Sequence, residues 1–191
     1  ETVTGVLARL ISPDKFGIVA VVTVITFFFS IFSDFGIGAA IIQNKELQQK
    51  DLNQLFSFTV WSGCILTLLF FLCSWPISFF YKEPSMKTIT QLLAINLFFA
   101  SANIVPNALL YKAKAFKFLA WRSLGVQVSG GIIAILAALG GAGLYALIIN
   151  PILSSILLFI ISYQKYPQTL EMTWGIPSIP VSYTHLTLPT N

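Results

Sequence analysis

The sequence predicts an all-α membrane protein, a polytopic helical bundle, and three observations carry that expectation. Charged residues are 9% of the 191 and hydrophobic ones 56%, against about 25% and about 45 to 50% in soluble domains. Four stretches, 16–33, 52–81, 88–111 and 123–164, contain no Asp, Glu, Lys or Arg. A spanning helix needs only about 20 apolar residues. Finally, the connections between these stretches are short, polar or glycine-rich, with no insertion large enough for a soluble domain. The expected count is about five full transmembrane helices plus the end of an earlier one, all within residues 1–166.

Residues 1–11 carry Val3, Val6, Leu7 and Leu10 at helical spacing and read as the last turns of a helix that starts further upstream. No signal peptide pattern precedes the first span, and the chain is expected to begin inside a longer protein. Ser12, Pro13 and Asp14 then read as a stop and a new start, with Ser12 as N-cap, Pro13 in the first turn and Asp14 complementing the helix dipole. The next helix is expected over 13–43. Its charge-free part is short, and it reaches spanning length only by running on through Asp34. A charged connection follows, and a helix is expected over 52–81, with Trp61, Trp75 and Tyr81 as interfacial aromatics and Pro76 bending its end. A further helix over 85–112 should kink at Pro106, whose ring removes a backbone hydrogen bond. The 42 uncharged residues 123–164 would make a rod of about 63 Å, twice a bilayer core of about 30 Å. They must fold back, and Gly140-Gly141-Ala142-Gly143 is the corner, giving helices over 117–139 and 144–164. Gly130, Ala134 and Ala138 recur every fourth residue as a packing stripe, and Asn150-Pro151 marks a kink in the last helix.

Lys and Arg counted on alternate sides divide seven against four, which places the second and fourth loops, and with them the amino-terminal side, in the cytoplasm. The formal charge of +4 is spread over these loops and gives no case for nucleic acid. Cys64 and Cys73 share one apolar run without a neighbouring His or Cys at ligand spacing. They read as small lipid-compatible residues, and no metal site is expected. Residues 167–191 read as a non-membrane tail with Pro167, Pro177, Pro180 and Pro189. The string 181–191, which holds the only histidine, His185, resembles translated adapter sequence and is set aside from fold reasoning.

The side chains that stand out are polar ones inside apolar spans. Asp34 is the single acid between Lys15 and Lys45. A carboxylate at the centre of a span costs about 2.5 to 3.5 kcal/mol on insertion scales unless it meets water or a partner in the bundle. Thr23, Ser30, Asp34 and Gly38 fall on one helix face, with Thr26 and Ser33 beside them. A second polar seam is Asn96, Asn103 and Asn107, spaced by seven and four residues, which Lys114 would extend if the helix continued past Pro106. Arg9, Lys112, Lys114 and Arg122 are the cations near helix ends. Each has a structural reading as well. Asp34 and the asparagines can be interhelical locks, worth about 0.6 to 2 kcal/mol per bond, and the basic loop can be a topology signal that meets lipid headgroups. Gly140 to Gly143 is not a phosphate loop, since no strand precedes it and no Lys follows.

The motifs V-L-A-R-L-I-S-P-D-K-F-G at 6–17 and S-D-F-G-I-G-A-A-I-I-Q at 33–43, with D-L-N at 51–53, V-P-N-A-L-L at 105–110 and F-K at Phe116 and Lys117, resemble the opening of bacterial flippases for lipopolysaccharide and exopolysaccharide repeat units. These are polysaccharide and O-antigen flippases of the multidrug/oligosaccharidyl-lipid/polysaccharide exporter superfamily. The likeness runs in order over about residues 5–165. It implies a larger transporter of two six-helix bundles, this chain being most of the first and the C-terminal half being its missing partner. It further implies that undecaprenyl-diphosphate-linked oligosaccharides cross the bacterial cytoplasmic membrane by alternating access. Substrate contacts are then expected at Asn96, Asn103, Asn107, Arg9, Lys114 and Arg122. Asp34 would pair with a cation or couple transport to H⁺ or Na⁺; no other cofactor is expected. A multidrug or cation-coupled exporter of the same superfamily is the nearer alternative. A membrane-embedded glycan polymerase or ligase is the remoter one, because no large polar loop gathers catalytic groups.

Overall fold

The computed structural model describes residues 13–34, 36–44, 47–142 and 144–170. All its regular elements are helices: α1 Pro13–Asp34, α2 Ile37–Gln43, α3 Gln49–Tyr81, α4 Pro84–Ala102, α5 Ile104–Lys112, α6 Phe116–Leu139 and α7 Leu144–Lys165. Among the described residues, four spans are long and apolar enough to cross a membrane: α3, the α4–α5 pair, α6 and α7. In α1 the apolar part, Lys15–Ile31, is shorter. The segments 1–11 and 171–191, with their expected helix end and non-native string, lie outside the described residues.

Two rods expected to be single are jointed. The helix expected over 13–43 ends at Asp34 and restarts at Ile37, because Gly36 sits at φ 73°, in the left-handed region that a residue without Cβ enters at no steric cost. The Gly36 carbonyl then accepts the first bond of α2 from Ala40 N–H at 2.9 Å. The helix expected over 85–112 breaks at Asn103, three residues before Pro106. Pro106 has no N–H to offer the carbonyl of Ala102, four residues back, and Ala102 is where α4 stops. By contrast α3 runs through Pro76 and α7 through Pro151.

The 33 residues of α3 measure about 50 Å, so this helix tilts or protrudes from a hydrocarbon core of about 30 Å. Asp51 accepts the Gln48 N–H at 3.0 Å and so caps its first turn. Schellman pairs of bonds close both α5, just before α6, and α6 itself. Before it, Lys114 N–H reaches Tyr111 O and Ala115 N–H reaches Leu110 O, with Lys114 itself at φ 52°. After it, Gly141 at φ 85° closes the corner, its N–H on Ala138 O and that of Ala142 on Ala137 O.

The core divides at the two joints. One cluster gathers Val22 of α1, Phe70 of α3, Met86, Ile89, Leu93, Ala94 and Leu97 of α4, and Ile148 of α7. The other gathers Ile37 and Ile41 of α2, Leu52, Leu55 and Phe56 of α3, and Val105, Ala108 and Leu109 of α5. On α6 and α7, Ala134 packs on Ala146, with Ala137 and Ala138 alongside. The outside stays apolar. Phe27, Phe28, Phe79, Phe80, Trp121 and Leu136 are exposed, a surface suited to acyl chains and too large an apolar patch for water.

Candidate functional site

The hydroxyl seam of α1 faces the amide seam of α4 and α5 across open space. Thr23, Thr26 and Ser30 share the wall of a cavity of about 220 Å³ with Leu93, Asn96, Leu97 and Pro151. Beside it, a cavity of about 410 Å³ is lined by Ser30, by Gly38, Ala39 and Ile42 of α2, by Ala100 and Ser101 of α4, and by Ile104, Asn107, Ala108 and Tyr111 of α5. Ser30 and Ala100 line both. The larger space therefore sits where both long rods are jointed, between the two core clusters.

The hydroxyls spend their protons on the backbone of their own helices. Thr26 donates to Val22 O at 2.7 Å, Ser30 to Phe27 O at 2.7 Å and Ser101 to Leu97 O at 2.8 Å. Their oxygen lone pairs are what they present to the cavities. Asn107 presents the opposite polarity. Its Oδ1 accepts from Arg122 Nη2 at 2.9 Å, so the amide nitrogen, with two N–H groups, is the end it offers to the space it lines.

Arg122 ties α6 to two other helices. It stands in the second turn of α6, is only 9% exposed, and donates from Nη1 to Ser162 Oγ of α7 as well as to Asn107 of α5. Ser162 in turn donates to Leu158 O. The Arg122 Nε is buried with no hydrogen-bond partner among the described residues.

The sequence-derived candidates thus separate. Asn96 and Asn107 line cavities. Asn103 sits at the α4–α5 joint with its Oδ1 buried and without a hydrogen-bond partner among the described residues, and it lines neither cavity. Lys114 is exposed in the turn after α5; the helix ends at Lys112, so the asparagine row does not extend to it. Arg122 lines neither cavity and acts on one only through Asn107. Asp34 is the last residue of α1, two residues before the Gly36 joint, and its side chain lies outside the described residues, as does all of Arg9. Sequence reasoning missed Ser101, Tyr111 and Ser162. Ser101 carried one signal, its position within a turn of Asn103; Ser162 carried none in its apolar helix.

Small residues set the approach of the walls. A Cβ on Gly63 of α3 would come within 2.7 Å of the Ser101 Cβ, so the α3–α4 contact depends on that glycine. On the far side, Gly130 of α6 lies against Asn150 and Ser154 of α7, and a Cβ there would run into the Asn150 amide oxygen. At the end of the bundle where α2 and α5 finish, Lys112 Nζ donates to Asn44 O at 2.7 Å. At the start of α3, Gln49 Nε2 donates to Asn53 Oδ1 at 3.2 Å and to Gln168 Oε1 at 2.9 Å. Asn53 Oδ1 also accepts the Thr169 N–H at 3.3 Å. The segment after α7, expected as a tail, thus begins as a strap laid on α3. Both cysteines are free, and among the described residues no group of three His, Cys, Asp or Glu could hold a metal.

No solved structure matches the chain. The lipopolysaccharide biosynthesis protein WzxC of Escherichia coli is 28% identical over 129 residues, 68% of this chain and 25% of that protein. The succinoglycan biosynthesis transport protein ExoT of Rhizobium meliloti is 22% identical over 151 residues, 79% of this chain and 31% of its own length. The teichuronic acid biosynthesis protein TuaB of Bacillus subtilis is 31% identical over 70 residues, 37% and 14% of the two chains. The chain spans about a quarter of the length of the relatives it matches. A family profile described as polysaccharide biosynthesis protein matches residues 6–183. With that match over nearly its whole length and four membrane-length apolar helical spans, this chain is a multi-pass bacterial membrane protein that belongs to the polysaccharide biosynthesis protein family.

Proposed function

We propose that this chain is the first bundle of a transporter that moves lipid-linked oligosaccharide repeat units across the bacterial cytoplasmic membrane by alternating access. The observation that carries the reading is the pair of adjoining cavities that share Ser30 and Ala100. They bring the hydroxyls of α1 opposite the amides of α4 and α5. A sugar crossing hydrocarbon must trade its water for protein donors and acceptors, because each unsatisfied polar group costs several kcal/mol in an apolar medium. Facing polar seams inside an apolar bundle supply that trade while the lipid tail stays among acyl chains. Similarity to lipopolysaccharide, succinoglycan and teichuronic acid biosynthesis proteins supports a glycan cargo, and the diphosphate of an undecaprenyl carrier is the charged part it would bring.

In this reading the partner bundle lies in the remainder of a longer polypeptide. Asp34, beside the Gly36 joint, serves as the coupling site for H⁺ or Na⁺, where a change of charge would bias the angle between α1 and α2. The complete polypeptide that carries this sequence, reconstituted in proteoliposomes, is expected to move a fluorescent undecaprenyl-diphosphate-linked oligosaccharide between leaflets. Ser30→Leu, which puts a bulky apolar side chain in the wall that both cavities share, should abolish that movement, and Asp34→Asn should remove its dependence on an ion gradient. Efflux of cationic dyes without movement of the glycolipid would replace this reading with multidrug export.

A further inference from the structure

Where α3 turns into α4, Ser78, Phe79, Lys82, Pro84 and Lys87 line a cleft of about 390 Å³. The turn that builds it is fixed by its backbone. Glu83 N–H donates to Ser78 O at 3.3 Å, and the Ser78 hydroxyl donates to Glu83 O at 3.1 Å. The Lys87 ammonium stands 4.9 Å from the centre of the Trp75 ring, a cation–π contact that positions the charge while its N–H groups can still donate. Trp75, Phe79, Phe80 and Tyr81 are exposed, Phe79 by 87%. Residues 82–87 hold two lysines against one acid, Glu83, and so carry a net charge of +1. The Lys and Arg count that puts the second and fourth loops in the cytoplasm puts this turn on the opposite face, so a topology signal does not account for its lysines.

We infer that this cleft binds the headgroup of an anionic phospholipid, with Lys82 and Lys87 on its phosphate and Phe79 and Phe80 along its acyl chains. The inference concerns the lipid-facing surface and stands apart from the transporter reading. The chemistry of the turn selects that ligand. A phosphate without an acyl chain would meet the lysines and leave the exposed phenylalanines in water. A zwitterionic lipid brings its own ammonium, which competes with Lys82 and Lys87 for the phosphate oxygens. An anionic phospholipid carries a phosphate whose charge its own headgroup does not answer, joined to the apolar chains that Phe79 and Phe80 suit. A lysine is a compact charge on a flexible stem, and such stems lie along apolar surface while the head stays in the headgroup layer. Trp75 suits the same depth, since indole rings collect at the boundary of headgroups and acyl chains. Each lysine near an anionic surface adds to the attraction, and a ring that already holds Lys87 in place lowers the ordering that binding demands.

The test is a photoprobe in the complete polypeptide carrying this sequence, reconstituted in nanodiscs of equal parts phosphatidylglycerol and phosphatidylcholine. A p-benzoylphenylalanine replaces Phe79, and the lipid it captures on illumination is identified by mass spectrometry. The same probe at Leu136, exposed near the end of α6 on the same face of the membrane, is the reference. Capture at Phe79 should favour phosphatidylglycerol several-fold more than capture at Leu136 does. Lys82→Gln with Lys87→Gln should bring the two sites level, and Lys82→Arg with Lys87→Arg should keep the preference. Neither lysine is buried, so the unfolding temperature should not change in either pair. Trp75→Leu, at an exposed position, should weaken the preference, and inorganic phosphate in solution should leave it as it was. Equal capture at the two probes, a preference that survives both glutamines, or its loss to inorganic phosphate would each overturn the inference. So would displacement by undecaprenyl diphosphate added as a minor lipid, which would make the cleft a cargo site. Capture of protein in place of lipid would overturn it as well, by showing that another part of the polypeptide covers the cleft.

Discussion

On one side of the bundle Asn107 stands in the wall of a 410 Å³ cavity with its oxygen held by Arg122. On the other, Asn150 of α7 is covered by Gly130 of α6, and its oxygen accepts from Ser154, one turn along the same helix, at 3.2 Å. Both asparagines lie in apolar spans. What separates them is the neighbour. Around Asn107 both long rods are jointed, at Gly36 and Asn103, and the gap between the two core clusters stays open. Around Asn150 the small-residue stripe Gly130, Ala134 brings α6 against α7, with no room for a Cβ at Gly130. A polar group in a membrane helix is therefore a site only where the backbone opposite it departs, and a packing device where a glycine lets the backbone in.

The widest separation between the two regions should come from filling the closed one. Gly130→Leu places atoms where the Asn150 oxygen already sits and should cost about 1 to 3 kcal/mol by overpacking, read as a lowered unfolding temperature in detergent. Gly125→Leu on the same helix is its control. That position is exposed and a Cβ there meets nothing within 4 Å, so nothing should be lost, and the better helix propensity of Leu should stabilise by up to about 0.8 kcal/mol. Equal losses at both glycines would mean that a leucine anywhere on α6, and not the α6–α7 contact, sets the effect.

A finer version is a cycle of Gly130→Ala with Asn150→Ala. The first alone introduces the clash and the second alone leaves a small void, so the pair should recover much of the loss, with a coupling of about 0.5 to 3 kcal/mol. Additive losses would show that the glycine is not there for the amide.

The difference between these regions was only half legible in the sequence. Charge-free runs and the Gly140–Gly143 corner carry the number and order of the long helices, because hydropathy and chain reversal are local properties. The stripe of Gly130, Ala134 and Ala138 was legible for the same reason. The joints were not located correctly, although the residues that make them were singled out. Gly36 was counted among small packing residues, since nothing local distinguishes a glycine that lets backbones approach from one at φ 73°. The break assigned to Pro106 fell at Asn103, because a proline frees the carbonyl four residues behind it. Arg122 shows the deeper limit. Read along the chain it belongs to a run of cations with Lys112, Lys114 and Lys117; in space it is buried against Ser162, 40 residues away, and no pattern short of the fold brings that pair together. The asparagine row was drawn on one continuous helix, and the break at Asn103 puts Asn96 and Asn107 on different helices, in the walls of different cavities.

The smallest effect is the one that bears most on the open region. In a cycle of Asn107→Ala with Arg122→Ala, the coupling should be about 0.6 kcal/mol and no more than about 1.7, the range for hydrogen bonds between membrane helices. The reason is that neither partner is stranded when the other goes. Arg122 keeps its bond to Ser162, and Asn107 borders a cavity where its freed oxygen can be met by whatever fills the space, water included. Asn150 is placed differently, since Gly130 lies against its oxygen. A coupling above about 3 kcal/mol would mean that Arg122 and Asn107 form a sealed polar lock like those that hold closed interfaces together, and the contrast between an open and a closed asparagine would be lost. A coupling within the expected range, joined to a change in maleimide access at Ala39→Cys in the single Arg122→Ala variant, would show the pair tuning a surface and not holding the fold.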